Sequence, residues 1–478
     1  MENRPDMVMV MTDQHAARIM GCAGDKHAQT PALDALAGTG TRFENAYCNS
    51  PLCVPSRMSF LTGLEPHVSG VLNNNTYLAS DIPTIAHALE VAGYDCHLVG
   101  RMHFNGPDQH HGFTHRPIGD IGASYPGSPP PDIGPLTKGR GNRGPELAHS
   151  GAGETSYQAY DLAVADHAEQ TIKELQAQRA RTGRPFFVLV SLFCPHPPYI
   201  CRRDDFDAFD GTLPPPSLPT PNRDHPVLAA WREAGGTADI LSADQATSRT
   251  AYYGLVRMID RICGRIFDLV KDQENTVSIY TSDHGECLGE RGLWWKSVMY
   301  DQSTKVPMIL SGPGFTPRKT DNRITSLMDL SATILDIAQA RSLPEHIGKS
   351  LREPPAADAA CYSSYYGGLM NINIPDVRHR MVRHGRYKLI WFDGSAPLLF
   401  DLETDPYELK DLSKDADNVE TLTALTSLVL KNWPFDQIAR KQVQIKDRVA
   451  VIRDWVKTTN PPEPARWVDP YMDRNRYE

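Results

Sequence analysis

Several absences narrow the chain before any motif is read. No run of about 18 consecutive apolar residues occurs in it, the length a helix needs to span a bilayer, so no membrane association is expected. Basic residues are not in excess: 49 Lys and Arg stand against 58 Asp and Glu, a net charge of −9. Nucleic acid, whose phosphate backbone demands clustered cations, is therefore not expected as a partner. The nine cysteines are odd in number, scattered and free of any C-x-x-C pair. That pattern argues for reduced thiols and against a disulfide framework or a structural zinc site. Internal repeats and low-complexity tracts are missing too. The apolar run at 7–11 is too short for a secretory core and is followed by Thr-Asp-Gln instead of a small-residue cleavage site. It reads as a buried strand, and a cytoplasmic protein is expected.

What is present is an ordinary globular composition, 40% hydrophobic and 22% charged over 478 residues, enough chain for two domains. Short apolar runs at 7–11, 94–99, 186–193, 277–281 and 306–310 each look like strands buried on both faces. Helical patterns at 30–39, 82–92, 157–179 and 247–271 lie between them. This alternation predicts an α/β fold with a large, mostly parallel central sheet flanked by helices, with polar sites at the carboxyl ends of its strands. Residues 119–153 and 213–226 are irregular, rich in Pro or Gly, and read as loops. After about residue 354 the texture changes. Runs at 362–366, 378–384, 387–392 and 398–402, with turns near Gly385 and Gly394, suggest an antiparallel meander, followed by helices near 419–431 and 443–457. The expected division is 1–354 for the larger domain and 355–478 for a smaller antiparallel-sheet subdomain with a helical tail.

Four fragments carry chemistry. Asp13-Gln14 follow the first strand; a lone carboxylate there is often only a turn residue. Cys53-Val54-Pro55-Ser56-Arg57 precede Leu61-Thr62-Gly63; a solitary C-x-P is ordinarily a buried thiol before a helical turn. Asp283-His284-Gly285-Glu286 follow another apolar run and supply an anionic oxygen and a neutral nitrogen donor side by side. Lys296, beside Trp294 and Trp295, reads either as a snorkelling side chain or as a fixed cation for an anion.

In this order the fragments resemble the formylglycine-dependent type I sulfatases of the alkaline phosphatase superfamily, in the branch of the choline sulfatases and phosphonate monoester hydrolases. The resemblance runs from Asp13 to the hairpin around 378–402. Its most specific element is C-x-P-S-R with L-T-G downstream, the family's signal for oxidising Cys to Cα-formylglycine. Gly100-Arg101-Met102-His103 is similar to the family's Gly-Lys-x-His element, and Pro195-His196-Pro197-Pro198-Tyr199 to its second histidine motif. The resemblance implies an alkaline-phosphatase-like sandwich fold and hydrolysis of small-molecule sulfate monoesters. It also implies one divalent metal ion and a maturation enzyme that generates formylglycine from Cys53.

The implied metal shell is Asp13, Gln14, residue 53, Asp283 and His284. Most of the family has Asp in place of Gln14, and many members have Asn in place of His284. The nitrogen donor makes manganese or zinc competitors of calcium. A formylglycine hydrate would offer one hydroxyl to attack sulfur and a second to expel sulfate, splitting one hard step into two. Arg57, about one helical turn from residue 53, would orient it. Arg101 and Lys296 would bind sulfate oxygens, His103 would act as base, and His196 or Lys296 would protonate the leaving oxygen. Asn74 is a candidate substrate contact, with Asn73 and Asn75 as competitors for that place. His110 and His111 would line the entrance or sit in a hydrated loop.

The strongest rival keeps the site and changes the substrate to a phosphonate monoester or phosphodiester; Arg101-x-His103 stands against it. A non-catalytic binding module would have lost a ligand or the nucleophile, and a Ser/Thr-nucleophile phosphatase would need a hydroxyl at position 53. The organic half of the substrate should be set by loops around 105–153 and 201–237 and by Tyr365, Asn371 or His379. A homo-oligomer held by the tail at 471–474 is a further expectation.

Overall fold

The computed structural model describes residues 4–141, 143–221, 225–356, 358–367 and 377–478. Its centre is a seven-stranded sheet. In spatial order the strands are Asp95–Gly100, Phe186–Pro195, Asp6–Asp13, Thr276–Ser282, Met308–Ser311, Gly40–Tyr47 and Lys319–Ser326. All run parallel except Met308–Ser311, which is antiparallel to both neighbours.

Successive side chains of a strand point to opposite faces, and the two main cores obey that rule. Val8, Val10, Val188 and Val190 point to one face, beneath the helices Pro31–Thr39, Ser156–Thr182 and Ser242–Asp268. Met7, Met9, Met11, Phe187 and Leu189 point to the other, beneath Cys53–Thr62, Ile85–Val91 and Leu327–Ile337. Burial on both faces explains why the central strands read as unbroken apolar runs. The edge pair Gly40–Tyr47 and Lys319–Ser326 does not read that way, because it is polar and partly exposed. Neither strand is visible as an apolar run, nor is the helix Leu327–Ile337 anticipated.

The register positions the chemistry. In the central strand Met9 lies opposite Leu189 and Ile279, Thr12 opposite Ser282, and Asp13 beside Pro195. The carboxyl ends of three parallel strands thus bring Asp13, His196 and Asp283 to one edge.

A separate antiparallel sheet contains Ala360–Tyr365, His379–His384, Tyr387–Phe392 and Ser395–Asp401, in that order. Its two hairpin turns carry Gly385 and Gly394 at φ of 54° and 70°, a region that favours glycine. The helices Val419–Leu430 and Phe435–Thr459 follow, the second longer than its apolar pattern suggests. The last segment folds back: Arg476–Tyr477 pairs with Gly151–Glu154, which pairs with Ile200–Cys201. The tail at 471–474 is thus held near its own chain, within a loop that reads as irregular. All nine cysteines are free thiols. No helix among the described residues is long and apolar enough to cross a membrane. Asn371 lies outside the described residues.

Candidate active site at the carboxyl edge of the sheet

Cys53 opens the helix Cys53–Thr62, every residue of which is buried. Its thiol lies 3.5 Å from Asp13 Oδ1, 3.2 Å from His284 Nε2 and 3.2 Å from Lys296 Nζ. His284 Nε2 is also 3.6 Å from an oxygen of Asp13 and 3.6 Å from one of Asp283. One ligand atom from each of Asp13, Cys53, Asp283 and His284 falls within 4.8 Å of the others, and all four residues are buried.

The groups behind these four fix which atoms face inward. Arg57 donates from Nε to Asp283 Oδ2 at 2.8 Å and from a terminal nitrogen to Asp13 Oδ2 at 3.2 Å. Arg101 Nε donates to the same Asp13 oxygen at 2.8 Å. Both carboxylates therefore spend Oδ2 on guanidinium groups and turn Oδ1 toward Cys53 and His284. His284 Nδ1 lies 3.0 Å from the Gly285 carbonyl, which can only accept, so the proton sits on Nδ1 and the Nε2 lone pair faces the carboxylates. Burial lowers the pKa of His284 and keeps the imidazole neutral, as a ligand must be. Two inward carboxylate oxygens, a neutral imidazole nitrogen and a thiol fit a divalent cation well.

Burial alone would raise the Asp13 pKa, but the positive charges of Arg101, Arg57 and Lys296 hold it well below the usual range. Gln14, the fifth expected ligand, receives Lys296 Nζ on Oε1 at 2.6 Å. Its amide nitrogen donates to Glu286 Oε2 and, at 3.4 Å, to Tyr199. Glu286 explains why an amide suits position 14: an Asp there would set two buried carboxylates against each other.

Arg101 also donates to Asp120 at 3.0 Å and to His103 Nδ1 at 2.8 Å, and Asp120 accepts the His103 backbone N–H. Since Arg101 can only donate, His103 Nδ1 accepts and its proton sits on Nε2. Burial and then Arg101 push the His103 pKa well down. His196 is held the other way round. Its Nδ1 lies 2.9 Å from the Pro197 carbonyl, its ring packs edge-on against Phe193, and its free nitrogen is directed to the Cys53 thiol. Of the three consecutive asparagines only Asn74 reaches the nucleophile helix, accepting the Val54 N–H at 3.0 Å. Asn73 caps its own loop, and Asn75 faces Arg453. His111 is buried against Phe104 instead of lining an entrance.

Backbone strain gathers here. Gln14, His103, Trp295 and Ser297 have φ of 72°, 58°, 63° and 74°. Gly100, at φ 100°, lets the chain turn toward Arg101; a Cβ there would meet the Ser191 carbonyl at 2.3 Å. Asp120, Glu286 and Tyr199 escape sequence reasoning as members of the site. Glu286 and Tyr199 lie inside quoted motifs, but nothing in the irregular loop around Asp120 singles it out.

The sulfatase family description matches residues 5–340, and a second, "N-sulphoglucosamine sulphohydrolase, C-terminal", matches residues 289–432. The chain is 31% identical over 467 residues to a choline-sulfatase of Rhizobium meliloti (strain 1021), covering 91% of this chain and 88% of that one. It is 26% identical to an arylsulfatase of Clostridium perfringens (strain 13 / Type A), covering 90% and 94% of the two chains. Among solved structures it superimposes on a phosphonate monoester hydrolase from Silicibacter pomeroyi with a TM-score of 0.74 at 24% identity, covering 90% and 95%.

Proposed function

The chain belongs to the sulfatase family and is a sulfuric ester hydrolase, and from that premise we propose that its nucleophile is residue 53, oxidised from Cys to Cα-formylglycine. One divalent metal ion would be held by Asp13, Gln14, residue 53, Asp283 and His284. The observation that carries this reading is the convergence of Asp13, Cys53, Asp283 and His284 within 4.8 Å, with Lys296 and Arg57 beside them. In this arrangement the Cys53 sulfur stands in for the oxygens of the oxidised residue.

When bound, the metal supplies Lewis acidity to the nucleophile and to a sulfate oxygen. Arg57 and Arg101 fix the two carboxylates, so the cradle is organised before substrate arrives. Lys296 offers a permanent positive charge at the thiol position and, with one N–H spent on Gln14, donors to spare for a sulfate or leaving oxygen. His103 presents Nε2–H as a donor in the same region. To take up a proton it must exchange tautomer or release Arg101 from Nδ1. His196 is neutral with a bare Nε2, since burial and the Lys296 charge both lower its pKa, so Lys296 is the better stocked acid for the leaving oxygen. Calcium or manganese suits four oxygen donors and one nitrogen, with zinc third.

The test is the mass of the peptide bearing residue 53 together with turnover of Cys53→Ala. We expect a peptide lighter than the thiol form by the thiol-to-aldehyde change, and a folded variant that retains metal but has lost sulfatase activity. Wild-type turnover by the alanine variant would reject the mechanism. The same residues suit a phosphonate monoester or phosphodiester, and Asp13-Gln14 with Asp283-His284 favour that second reading equally. Turnover of a nitrophenyl sulfate beside a phenylphosphonate ester separates the two.

A further inference from the structure

A cavity of about 360 Å³ lies along the helix Phe435–Thr459 and is lined by Gln437, Arg440, Lys441, Gln444, Ile445 and Arg448. These positions recur at helical spacing and form one stripe. Three are cations and none is an acid. Among the described residues none of the three cations pairs with a carboxylate, unlike the site arginines Arg57 and Arg101. Burial, and then the charge of Arg448, lower the Lys441 pKa, the mark of a partly dehydrated ammonium beside an uncompensated neighbour.

The stripe is linked to the catalytic edge. Lys441 Nζ rests over Gly70, where a Cβ would lie 2.5 Å away. Ile445 packs in one cluster with Leu72. Leu72 is two residues from Asn74, at most about 7 Å between Cα atoms, and Asn74 holds the N–H next to residue 53. Farther along the helix Arg453 approaches Asn75 at 3.5 Å, and Trp455 packs edge-on against Tyr125.

We propose that this cavity is an accessory anion subsite that receives a second oxyanion, sulfate or carboxylate, carried by the same substrate as the scissile sulfate. The proposal rests on the sulfatase reading above and deepens it: the preferred substrates are polyanionic, such as multiply sulfated or uronate-bearing sugars, and esters with a cationic organic half are disfavoured. Planar guanidinium forks from Arg440 and Arg448 would grip the oxyanion, and Lys441 would add a point charge.

The test compares the mature full-length enzyme with Arg440→Gln/Arg448→Gln, using a disulfated disaccharide and 4-nitrophenyl sulfate. The ratio of kcat/KM for the disaccharide over the aryl ester should fall ten-fold or more, mainly through KM. An unchanged ratio would mean that the stripe is a solvated helix face, and the proposal fails. Binding is followed separately by calorimetry with sucrose octasulfate on the Cys53→Ala chain, with and without the two Gln substitutions. At least ten-fold weaker binding supports the subsite, and equal affinities overturn it. Should the wild-type enzyme hydrolyse no sulfate ester, the function fails while the calorimetry still decides the subsite.

Discussion

At the scale of single residues the site is a set of hydrogen-bond decisions, and Glu286 makes the least visible of them. Its carboxylate accepts Leu288 N–H at 2.6 Å, Trp295 N–H at 2.7 Å, the Tyr199 hydroxyl at 2.8 Å and the Gln14 amide. All four partners donate, and only an ionised carboxylate satisfies them all. Glu286→Gln would set its NH₂ against other donors, leaving buried groups unpaired at about 1–3 kcal/mol each. Gln14 would lose its fixed orientation. A chelator titration should show metal affinity falling by roughly 10–100-fold, with partial recovery on adding Gln14→Glu, which restores an acceptor opposite the new amide. Undiminished affinity in the single variant would separate Gln14 from the metal. Lys296 can be tested by leaving group: Lys296→Ala should cost on the order of 10²–10⁴ in kcat with an alkyl sulfate and much less with a nitrophenyl sulfate, whose leaving oxygen needs no proton. Equal losses would assign Lys296 to sulfate binding alone. The ligand candidates were legible because each follows an apolar run or a compact motif. Asp120 and Glu286 were not, because their role lies in satisfying other side chains across the fold, and no local pattern encodes that.

At the scale of elements, legibility follows burial. Strands covered on both faces announce themselves as apolar runs, and the hairpins of the second sheet do so through Gly385 and Gly394. The edge strands Gly40–Tyr47 and Lys319–Ser326 pair through backbone groups while showing polar side chains, so composition hides them. The strand His379–His384 is tied to the catalytic loop by His379, whose Nε2 lies 2.9 Å from the Ser297 carbonyl and whose ring stacks on Tyr365 at 5.0 Å. Burial pushes the His379 pKa down to about 4. The unfolded chain binds this proton near pH 6.5 and the folded chain refuses it until about pH 4, so this residue's contribution is complete above 6.5 and is lost as pH falls through that window. At pH 5 the loss is about 2 kcal/mol, at 1.36 kcal/mol per pH unit. Urea midpoints at pH 7 and pH 5 should therefore lie closer together in His379→Gln than in the wild type. The same separation in both would show that His379 protonates freely.

At the scale of the whole molecule, the order of events in making the enzyme follows from where the fold puts its maturation signal. Cys53 is 1% exposed, Arg57 and Ser56 are 0% exposed, and the helix that carries them lies between the sheet and Leu327–Ile337. An oxidising enzyme must grip several residues in extended form around its target. Here Ser56 is bonded to the Asp283 carbonyl, and Arg57 to two carboxylates, a carbonyl and Ser191. Releasing that segment means breaking a buried ion-pair network and opening one of the two main cores, which is close to global unfolding and therefore rare in the native state. Conversion of Cys53 is thus expected to precede folding. Chain produced without a formylglycine-generating enzyme, folded, and then exposed to it should remain the thiol by peptide mass, whereas the same chain treated while unfolded or during synthesis should be converted and gain activity on refolding. Efficient conversion of the folded thiol form would mean that the Cys53–Thr62 helix opens far more readily than its packing allows, and the rigid cradle assigned to Arg57 would have to be abandoned with it.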